Sequence, residues 1–257
     1  MKHLIIGGGV VGKATGLWLE SNNEDVTFND VDTEVLEQLK AEGHRVSQDL
    51  TCVVEDVDLF WVCTAEWNVD EVLENLDEVI CQEHDYVIVV RSTTPVGTMD
   101  RLADRYVGFH LVHLPEFLRA SNAVEDMFNP DRVVVGTRSV YALNAVRSFF
   151  KTCDVPVLAV KPMASELIKY ASNCWLATQI SYWNEIRSIC KKLGLNPQEI
   201  ANAVRLDKRI SSYGTAMLGS PFKGFCLPKD LDSLIKVYEE NDVEPVLLKA
   251  VKEVNEK

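Results

Sequence analysis

The chain has 257 residues, of which 47% are hydrophobic and 25% are charged, a composition typical of a folded globular protein with a sizeable core. Its formal net charge is -13. Because a surface that binds nucleic acid or an anionic membrane must be basic, this charge argues against both kinds of partner.

The cysteines and the amino terminus indicate in which cellular compartment the protein lies. The seven cysteines form an odd set without a C-x-x-C pair, which favours a reducing environment. The first residues, MKHLIIGGG, start a strand directly, and no apolar run is long enough to span a membrane. We therefore expect a soluble cytoplasmic protein.

Seven short apolar runs alternate with amphipathic segments from residue 1 to about residue 160. They read HLIIGG, DVTFND, LFWVCTA, YVIVVRST, FHLVHL, DRVVVGT and VPVLAV. This alternation is typical of βαβ units, so we predict an α/β fold with a Rossmann-type, doubly wound and largely parallel sheet. The simple alternation is expected to end after Thr93.

A continuous helical pattern follows, ASELIKYASNCWLATQISYWNEIRSICKKLG, with Ser165 as the predicted N-cap and Gly194 as the predicted stop. A helix of roughly 28 residues is about 42 Å long, which suggests that it bridges two bodies or two subunits. Shorter helices follow it. We place a domain boundary near residue 160, with an α/β domain over 1–160 and the long helix with a small all-helical domain over 161–257.

The stretch LIIGGGVVGKATG contains Gly7-x-Gly9-x-x-Gly12 directly after the first strand and at the start of a helix. The first glycine of this pattern permits a tight turn, the second lets a pyrophosphate approach the backbone, and the third lets helix and strand pack closely. Asp30 closes the second strand, where an acid binds ribose hydroxyls and repels a 2′-phosphate, so NAD is favoured over NADP. Asp32 is the alternative ribose ligand, and a packed turn without a ligand is the alternative interpretation of the glycines.

Polar residues follow two later strands. Ser92 and Thr93 lie where the strand YVIVV ends, and Glu116 follows the strand FHLVHL, where it could act as a general base. Taken alone, each of these three residues could equally be part of an ordinary polar loop. His110 and His113 precede Glu116 at intervals of three, but residues three apart on a strand face opposite sides, so no metal site is expected.

The long helix carries Lys169 and Asn173 four residues apart, hence on one face. An ammonium and an amide aimed at one point would stabilise an oxyanion, whereas the alternative is a polar stripe facing solvent. Glu166 and Glu185 are assigned to that polar stripe.

The stretch PFKGFCLPKD places Cys226 shortly before Lys229 and Asp230. A thiolate stabilised by a nearby cation or by backbone amides attacks carbonyls, and a downstream acid can orient water or shuttle a proton. From these residues alone, Cys226 is equally a nucleophile or a small apolar residue in a turn.

Taken in order, these stretches resemble the UDP-glucose/GDP-mannose dehydrogenase family. The resemblance is carried by the glycine pattern, RSTTPVGT, PEFLRASNAVEDMFNPDRVVVG, ELIKYASNCWLATQISYWNEI, DKRI and GFCLPKD, and it covers essentially the whole chain. It implies an enzyme that oxidises the C6 alcohol of a nucleotide sugar to a carboxylate with two NAD.

The resemblance also implies roles for individual residues. Cys226 would attack the intermediate aldehyde to give a thiohemiacetal and then a thioester. Glu116 would be the general base for thioester hydrolysis and Thr93 would help to hold the water. Lys169 and Asn173 would stabilise the oxyanion.

Further implied roles concern the ligands and a second subunit. Asp230 would position water or a proton, Ser92 would contact the cofactor, and Phe222 and Lys169 would contact the substrate. Arg209, in DKRI, would reach the substrate of the neighbouring subunit, which implies a homodimer around the long helix.

The chain departs from the family pattern in two places. Pro221, Lys223 and Phe225 replace small residues near Cys226, so the sugar pocket is expected to be narrowed or reshaped. The chain also stops at EVNEK, where the carboxy-terminal nucleotide-binding domain of the family would begin, and we expect that it lacks that domain.

Two other functions remain open from the sequence. One is a two-electron NAD-dependent hydroxyacid or alcohol dehydrogenase of the 3-hydroxyacid type, with Lys169 as its acid and base, although CLPKD and PEF argue against it. The other is a non-catalytic NAD-binding partner subunit, which would not need the complete set of candidate catalytic residues.

Overall fold

The computed structural model describes residues 1–54, 57–80, 85–151 and 153–257. The chain divides into two compact units, Met1–Leu167 and Ile168–Lys257. Each unit is described by itself.

The first unit contains a single sheet, which has eight strands within the described ranges. They are β1 (Lys2–Ile6), β2 (Asp25–Asn29), β3 (Arg45–Ser47), β4 (Leu59–Val62), β5 (Tyr86–Val90), β6 (Phe109–His113), β7 (Val133–Thr137) and β8 (Val157–Val160). Their order is β3-β2-β1-β4-β5-β6-β7-β8. All neighbouring strands are parallel except β6 and β7. The strand order therefore reverses between β1 and β4, where α/β sheets of this type bind ligands.

Helices connect the strands and make up the second unit. They are α1 (Val10–Ser21), α2 (Thr33–Ala41), α3 (Val69–Val79), α4 (Thr98–Arg105), α5 (Ala123–Phe128), α6 (Val140–Phe149), α7 (Pro162–Leu193), α8 (Pro197–Val204), α9 (Tyr213–Ala216), α10 (Cys226–Glu240) and α11 (Val246–Asn255). Two short 3-10 helices cover Glu66–Asn68 and Ala120–Asn122. Within the described residues, no helix combines the length and the apolar character that crossing a membrane requires.

The central strands β1, β4 and β5 are buried on both faces of the sheet. Ile5 of β1 belongs to one apolar cluster together with residues of α1, α5 and α6, whereas Leu4 and Ile6 belong to a second cluster together with residues of α3 and α4. Because both faces are covered, the strands are continuous apolar runs rather than alternating ones. The predicted doubly wound α/β fold, followed by a long helix and a small helical region, is confirmed.

The structure corrects the predicted set of strands and the predicted end of their alternation with helices. Strand β3 has only three residues and no apolar run, so the sequence did not reveal it. The parallel alternation continues through β6 rather than ending after Thr93, because α4 connects β5 to β6. This helix has only eight residues, and only Met99 and Leu102 of it are buried, which is too few to produce a clear helical pattern.

Helix α7 begins at Pro162 instead of at the predicted N-cap Ser165, and it has 32 residues. Proline is well suited to the first helical position because its missing N–H would have no partner there. Ser165 is fully buried, and its hydroxyl donates to the carbonyl of Pro162 at 2.7 Å. Gly194 ends the helix as predicted, in the left-handed conformation with φ of 68°.

Candidate active site

The glycine turn lies at the switch point between β1 and β4. Gly7 has φ of 98°, and a Cβ on it would lie 2.8 Å from the carbonyl of Cys63, which follows β4. A Cβ on Gly12 would lie 1.8 Å from the carbonyl oxygen of Gly7, whereas a Cβ on Gly9 would meet nothing within 4 Å. The turn is therefore packed against the sheet at Gly7 and Gly12 and open at Gly9, as the approach of a pyrophosphate requires.

The acid at the end of β2 faces this turn. The carboxylate of Asp30 accepts hydrogen bonds from the amide of Gly8 at 2.6 Å and from the amide of Asp32 at 2.9 Å. Asp32 itself caps α2 by accepting from the amide of Glu34 at 2.9 Å. Asp30 is thus the acid beside the glycine turn. These residues fit NAD, with Asp30 for the ribose hydroxyls and the first amides of α1 for the pyrophosphate.

The loop after β5 is tied to the end of β4. Ser92 is buried, and its hydroxyl donates to the carbonyl of Thr64 at 2.7 Å. Thr93 is half-buried at the same edge of the sheet. Both residues follow the carboxyl end of β5, on the edge where ligands bind in such sheets. Their roles at the cofactor and at the water stay predictions.

Glu166 is a residue that the sequence interpretation assigned wrongly. It is 0% exposed rather than part of a solvated stripe. Its carboxylate accepts from the amides of Gly97 at 2.6 Å and Met99 at 2.8 Å, and from the hydroxyl of Thr94 at 3.0 Å. Burial raises the pKa of Glu166, and these three hydrogen bonds oppose that rise. Glu166 thereby fixes the segment between Thr93 and α4.

The sequence offered one signal for this interaction. The residue that precedes α4 is Gly97, which has no side chain to accept from the first amides of the helix. Such amides need an acceptor from elsewhere in the chain. The sequence alone could not show that the acceptor comes from the beginning of α7.

Glu116 follows β6 and accepts a hydrogen bond from the amide of Leu118 at 2.6 Å. Together with Arg91 and Arg132 it lines a cavity of about 70 Å³. Arg91 is 4% exposed; burial lowers the pKa of its guanidinium, and the negative charge of Glu116 opposes that effect. The sequence interpretation did not identify Arg91, because an arginine that follows an apolar strand gives no sign that it is buried.

The two histidines of β6 have different partners. His110 Nδ1 lies 2.9 Å from the hydroxyl of Ser139, whereas His113 Nδ1 lies 2.7 Å from the hydroxyl of Ser165. In the ranges that the structure describes, no group of three His, Cys, Asp or Glu side chains is arranged to hold a metal.

The second unit contains a buried polar group between α7 and α10. The amide of Asn173 donates to Asp230 Oδ2 at 2.5 Å, and Lys229 Nζ lies 2.9 Å from Asp230 Oδ1. Asp230 is 1% exposed, and Lys169, one helical turn before Asn173, is 3% exposed. A carboxylate that is so buried needs such a cation and such a hydrogen bond. The structure thus brings together Asn173 and Asp230, two of the predicted catalytic residues.

Cys226 is exposed and is the first residue of α10. The positive end of a helix dipole stabilises a thiolate at this position. Burial raises the pKa of the Cys63 and Cys174 thiols to about 12. The thiol of Cys52 is exposed, but its sulfur lies 3.3 Å from the carboxylate of Asp49 and it is not at the start of a helix. Cys226 therefore has the best placement for a nucleophile among these four; Cys81 lies outside the described residues.

The predicted substrate contacts of the second unit differ in exposure. Phe222 is 3% exposed, whereas Lys223 and Phe225 are exposed on either side of Gly224. The side chain of Arg209 is 88% exposed and forms an ion pair with Asp207. The substrate roles of Phe222 and Arg209 stay predictions.

Two family models match this chain. Residues 63–154 match the NAD binding domain of the UDP-glucose/GDP-mannose dehydrogenase family, and residues 163–257 match the central domain of the same family. The predicted cofactor, NAD, is confirmed by the first of these matches.

Two relatives of the chain agree with these family models. UDP-glucose 6-dehydrogenase YwqF of Bacillus subtilis is 30% identical over 99% of this chain and 66% of its own length. UDP-glucose 6-dehydrogenase of Rickettsia conorii is 35% identical over 76% of this chain and 44% of its own length.

A solved structure of a UDP-glucose dehydrogenase from Pyrobaculum islandicum is 28% identical, with a TM-score of 0.90 over 99% of this chain and 68% of that protein. The chain thus spans about two thirds of the length of the Bacillus and Pyrobaculum proteins and less than half of the Rickettsia protein. This chain belongs to the UDP-glucose/GDP-mannose dehydrogenase family.

Proposed function

We propose that the chain oxidises the C6 alcohol of a nucleotide sugar, such as UDP-glucose or GDP-mannose, to the carboxylate. The observation that carries this proposal is the placement of Cys226 as the exposed first residue of α10, one helical turn before the buried Asp230. Oxidation of an aldehyde through a covalent intermediate needs a thiol so placed, whereas a two-electron alcohol dehydrogenase has no use for it. Residues 1–160 would form the NAD-binding domain and residues 161–257 the catalytic-cysteine domain.

In the first half of the reaction the alcohol becomes an aldehyde. NAD supplies the hydride acceptor for both oxidations. Lys169 and Asn173 stabilise the negative charge that develops on the C6 oxygen, because both present hydrogen-bond donors from one face of α7. Both side chains are nearly excluded from water, which strengthens this stabilisation.

In the second half Cys226 forms a covalent bond. Its thiolate adds to the aldehyde carbon, and the carbonyl oxygen takes up a proton to give a thiohemiacetal. Loss of the proton from the hydroxyl oxygen and of a hydride from the carbon, which a second NAD would accept, gives a thioester. Asp230, held by Asn173 and Lys229, positions a proton or a water near the sulfur. Water then cleaves the carbon–sulfur bond, which releases the carboxylate and restores the thiol.

Glu116 and Thr93 act in this hydrolysis. Glu116 takes a proton from the attacking water as a general base, and Thr93 helps to hold that water. Glu166 supports Thr93 indirectly, because its hydrogen bonds fix the next residue, Thr94, and the start of α4.

The experiment that tests the function counts NADH. We expect two NADH for each molecule of UDP-glucose or GDP-mannose oxidised, and a rise in melting temperature with the correct nucleotide sugar in the presence of NAD, since a ligand that binds only the folded state stabilises it. Thermal shifts with UDP-glucose, UDP-glucuronate, GDP-mannose and small hydroxyacids identify the substrate. One NADH per substrate, with a shift from hydroxyacids alone, would show a two-electron dehydrogenase instead.

A homodimer through α7 is part of this proposal. Trp175, Tyr182 and Ile189 recur at intervals of seven along the helix and are 61%, 55% and 51% exposed. A stripe of large apolar side chains at this spacing is typical of a helix that packs on a second helix. A Tyr182→Glu variant should therefore sediment as a monomer under conditions in which the unmodified protein sediments as a dimer. Identical sedimentation of the two proteins would contradict an interface at this stripe.

The compartment is also proposed. All described cysteines are free thiols, which is the state expected in a reducing cytoplasm. Detection of the protein in a cell fraction other than the cytosol would contradict this localisation.

A further inference from the structure

The segment 217–225 leads directly to Cys226 and is neither helix nor strand. Gly219 and Gly224 in it adopt the left-handed region, with φ of 88° and 83°. Turn-type backbone hydrogen bonds hold the start of this segment, such as the one from the amide of Ser220 to the carbonyl of Met217 at 2.9 Å. Other backbone groups of the segment are held by side chains of α7 and α11.

Asn184 of α7 holds the first part of the segment. Its side-chain oxygen accepts from the amide of Gly219 at 2.7 Å, and its side-chain nitrogen donates to the carbonyl of Ser220 at 2.9 Å. One amide side chain thus satisfies a donor and an acceptor of consecutive residues.

Asn255 of α11 holds the second part in the same way. Its side-chain oxygen accepts from the amide of Phe222 at 2.8 Å, and its side-chain nitrogen donates to the carbonyl of Phe222 at 3.2 Å. The side chain of Phe222 is 3% exposed, so this residue is anchored through its backbone and through its ring.

Cys226 consequently lies between two anchored points. Phe222 is fixed four residues before it, and Asp230 is fixed one helical turn after it through Asn173. Residues 223–226 between the first anchor and the helix are exposed.

We propose that Asn184 and Asn255 are positioning residues for the thiol of Cys226, an inference that rests on the proposed function. They do not contact the sulfur; they act through the segment 217–225. Attack of a thiolate on an aldehyde requires the reacting atoms to be about 3 to 3.5 Å apart and aligned, and a displacement of about 1 Å can slow a reaction about 100-fold. The preceding oxidation of the alcohol does not use the thiol, so loss of these hydrogen bonds slows only the second oxidation.

The test compares Asn184→Ala and Asn255→Ala with Asn196→Ala. Asn196 caps α8 in the same unit by accepting from the amide of Gln198 at 3.0 Å, and it serves as the matched control for a lost asparagine hydrogen bond. Single-turnover reactions with UDP-glucose and NAD resolve the first and the second NADH. We expect the second phase to slow about 10- to 100-fold in the two loop variants, with the first phase within about 3-fold of the unmodified protein. The Asn196→Ala control should have the same ratio of first-phase to second-phase rates as the unmodified protein.

A second measurement needs neither substrate nor turnover. The rate of Cys226 alkylation by iodoacetamide at pH 7, followed by peptide mass spectrometry, reports the stabilisation of the thiolate. Because Cys226 is already exposed, loosening the segment does not make the sulfur more accessible to the reagent. Fraying of the start of α10 would instead take away the helix dipole that stabilises the thiolate. Alkylation should fall about 2- to 5-fold in both loop variants and remain unchanged in the control.

These measurements separate the positioning role from the proposed function. Equal slowing of both NADH phases, or unchanged alkylation in folded Asn184→Ala and Asn255→Ala proteins, overturns the positioning role. If the unmodified protein makes no NADH from any nucleotide sugar, the proposed function fails, and the alkylation rates alone then decide whether the two asparagines position the thiol.

Discussion

A Cys226→Ser variant should release one NADH from a stoichiometric amount of UDP-glucose and then stop, whereas the unmodified protein should release two. The serine hydroxyl is not ionised at neutral pH and is a far weaker nucleophile than a thiolate at the start of a helix. We expect the second NADH phase to slow roughly 1,000-fold or more, as when a covalent nucleophile is removed from other enzymes. The first phase should change little, because oxidation of the alcohol needs no bond to sulfur.

Cys52 provides the control for this experiment. Its thiol is exposed like that of Cys226, but it lies 3.3 Å from the carboxylate of Asp49 and is not at the start of a helix. A Cys52→Ser variant should still release two NADH. If Cys226→Ser also released two, the covalent mechanism would be wrong, and a two-electron chemistry with Lys169 as the acid and base would have to account for the products.

The fold was predictable where one local pattern determines one element. Runs such as YVIVV are buried on both faces of a sheet, and Gly194 adopts the left-handed conformation that ends a helix. The prediction failed where the local signal was weak or ambiguous. The three residues of β3 form no apolar run, and Ser165 has the residue type of a helix cap but lies inside the first turn of α7.

The candidate site was predictable only where its residues lie close together in the sequence. The glycine turn and Asp30 belong to one βαβ unit, so their spacing along the chain fixes their distance in space. Asn173 and Asp230 are 57 residues apart, and only the resemblance to the family placed both in one reaction. Asn255 and Glu166 escaped prediction because each satisfies backbone groups of a distant segment, and a sequence does not show which acceptor will be nearby.

A Gly12→Ala variant should lose about 3 kcal/mol or more of its free energy of unfolding, because the new methyl group would overlap backbone that cannot be repacked. The Cβ would lie 1.8 Å from the carbonyl oxygen of Gly7 and 2.9 Å from its carbonyl carbon. The carbonyl belongs to the turn that connects β1 to α1. Relief of the overlap would require α1 to move away from the strand, against the buried contacts of Ala14 and Trp18. Urea denaturation of the two proteins measures the loss.

Gly9→Ala is the matched change at the open side of the same turn. Gly9 has φ of -64°, which alanine adopts readily, and its Cβ would meet nothing within 4 Å. Its cost to the free energy of unfolding should therefore be about 1 kcal/mol or less, the cost of alanine at an N-cap. The methyl group would instead occupy the space through which a pyrophosphate approaches the backbone, and NAD affinity should fall about 10-fold or more.

The two variants together distinguish packing from cofactor binding. A stable Gly9→Ala protein that binds NAD poorly, measured by calorimetry, would show that this turn holds the pyrophosphate. Undiminished NAD affinity in Gly9→Ala would contradict that placement of the cofactor even if Gly12→Ala unfolds, since the overlap at Gly12 is with the protein's own atoms. The change at Gly9 thus tests whether the turn binds the cofactor. The change at Gly12 tests the close packing of α1 on β1 that forms the turn.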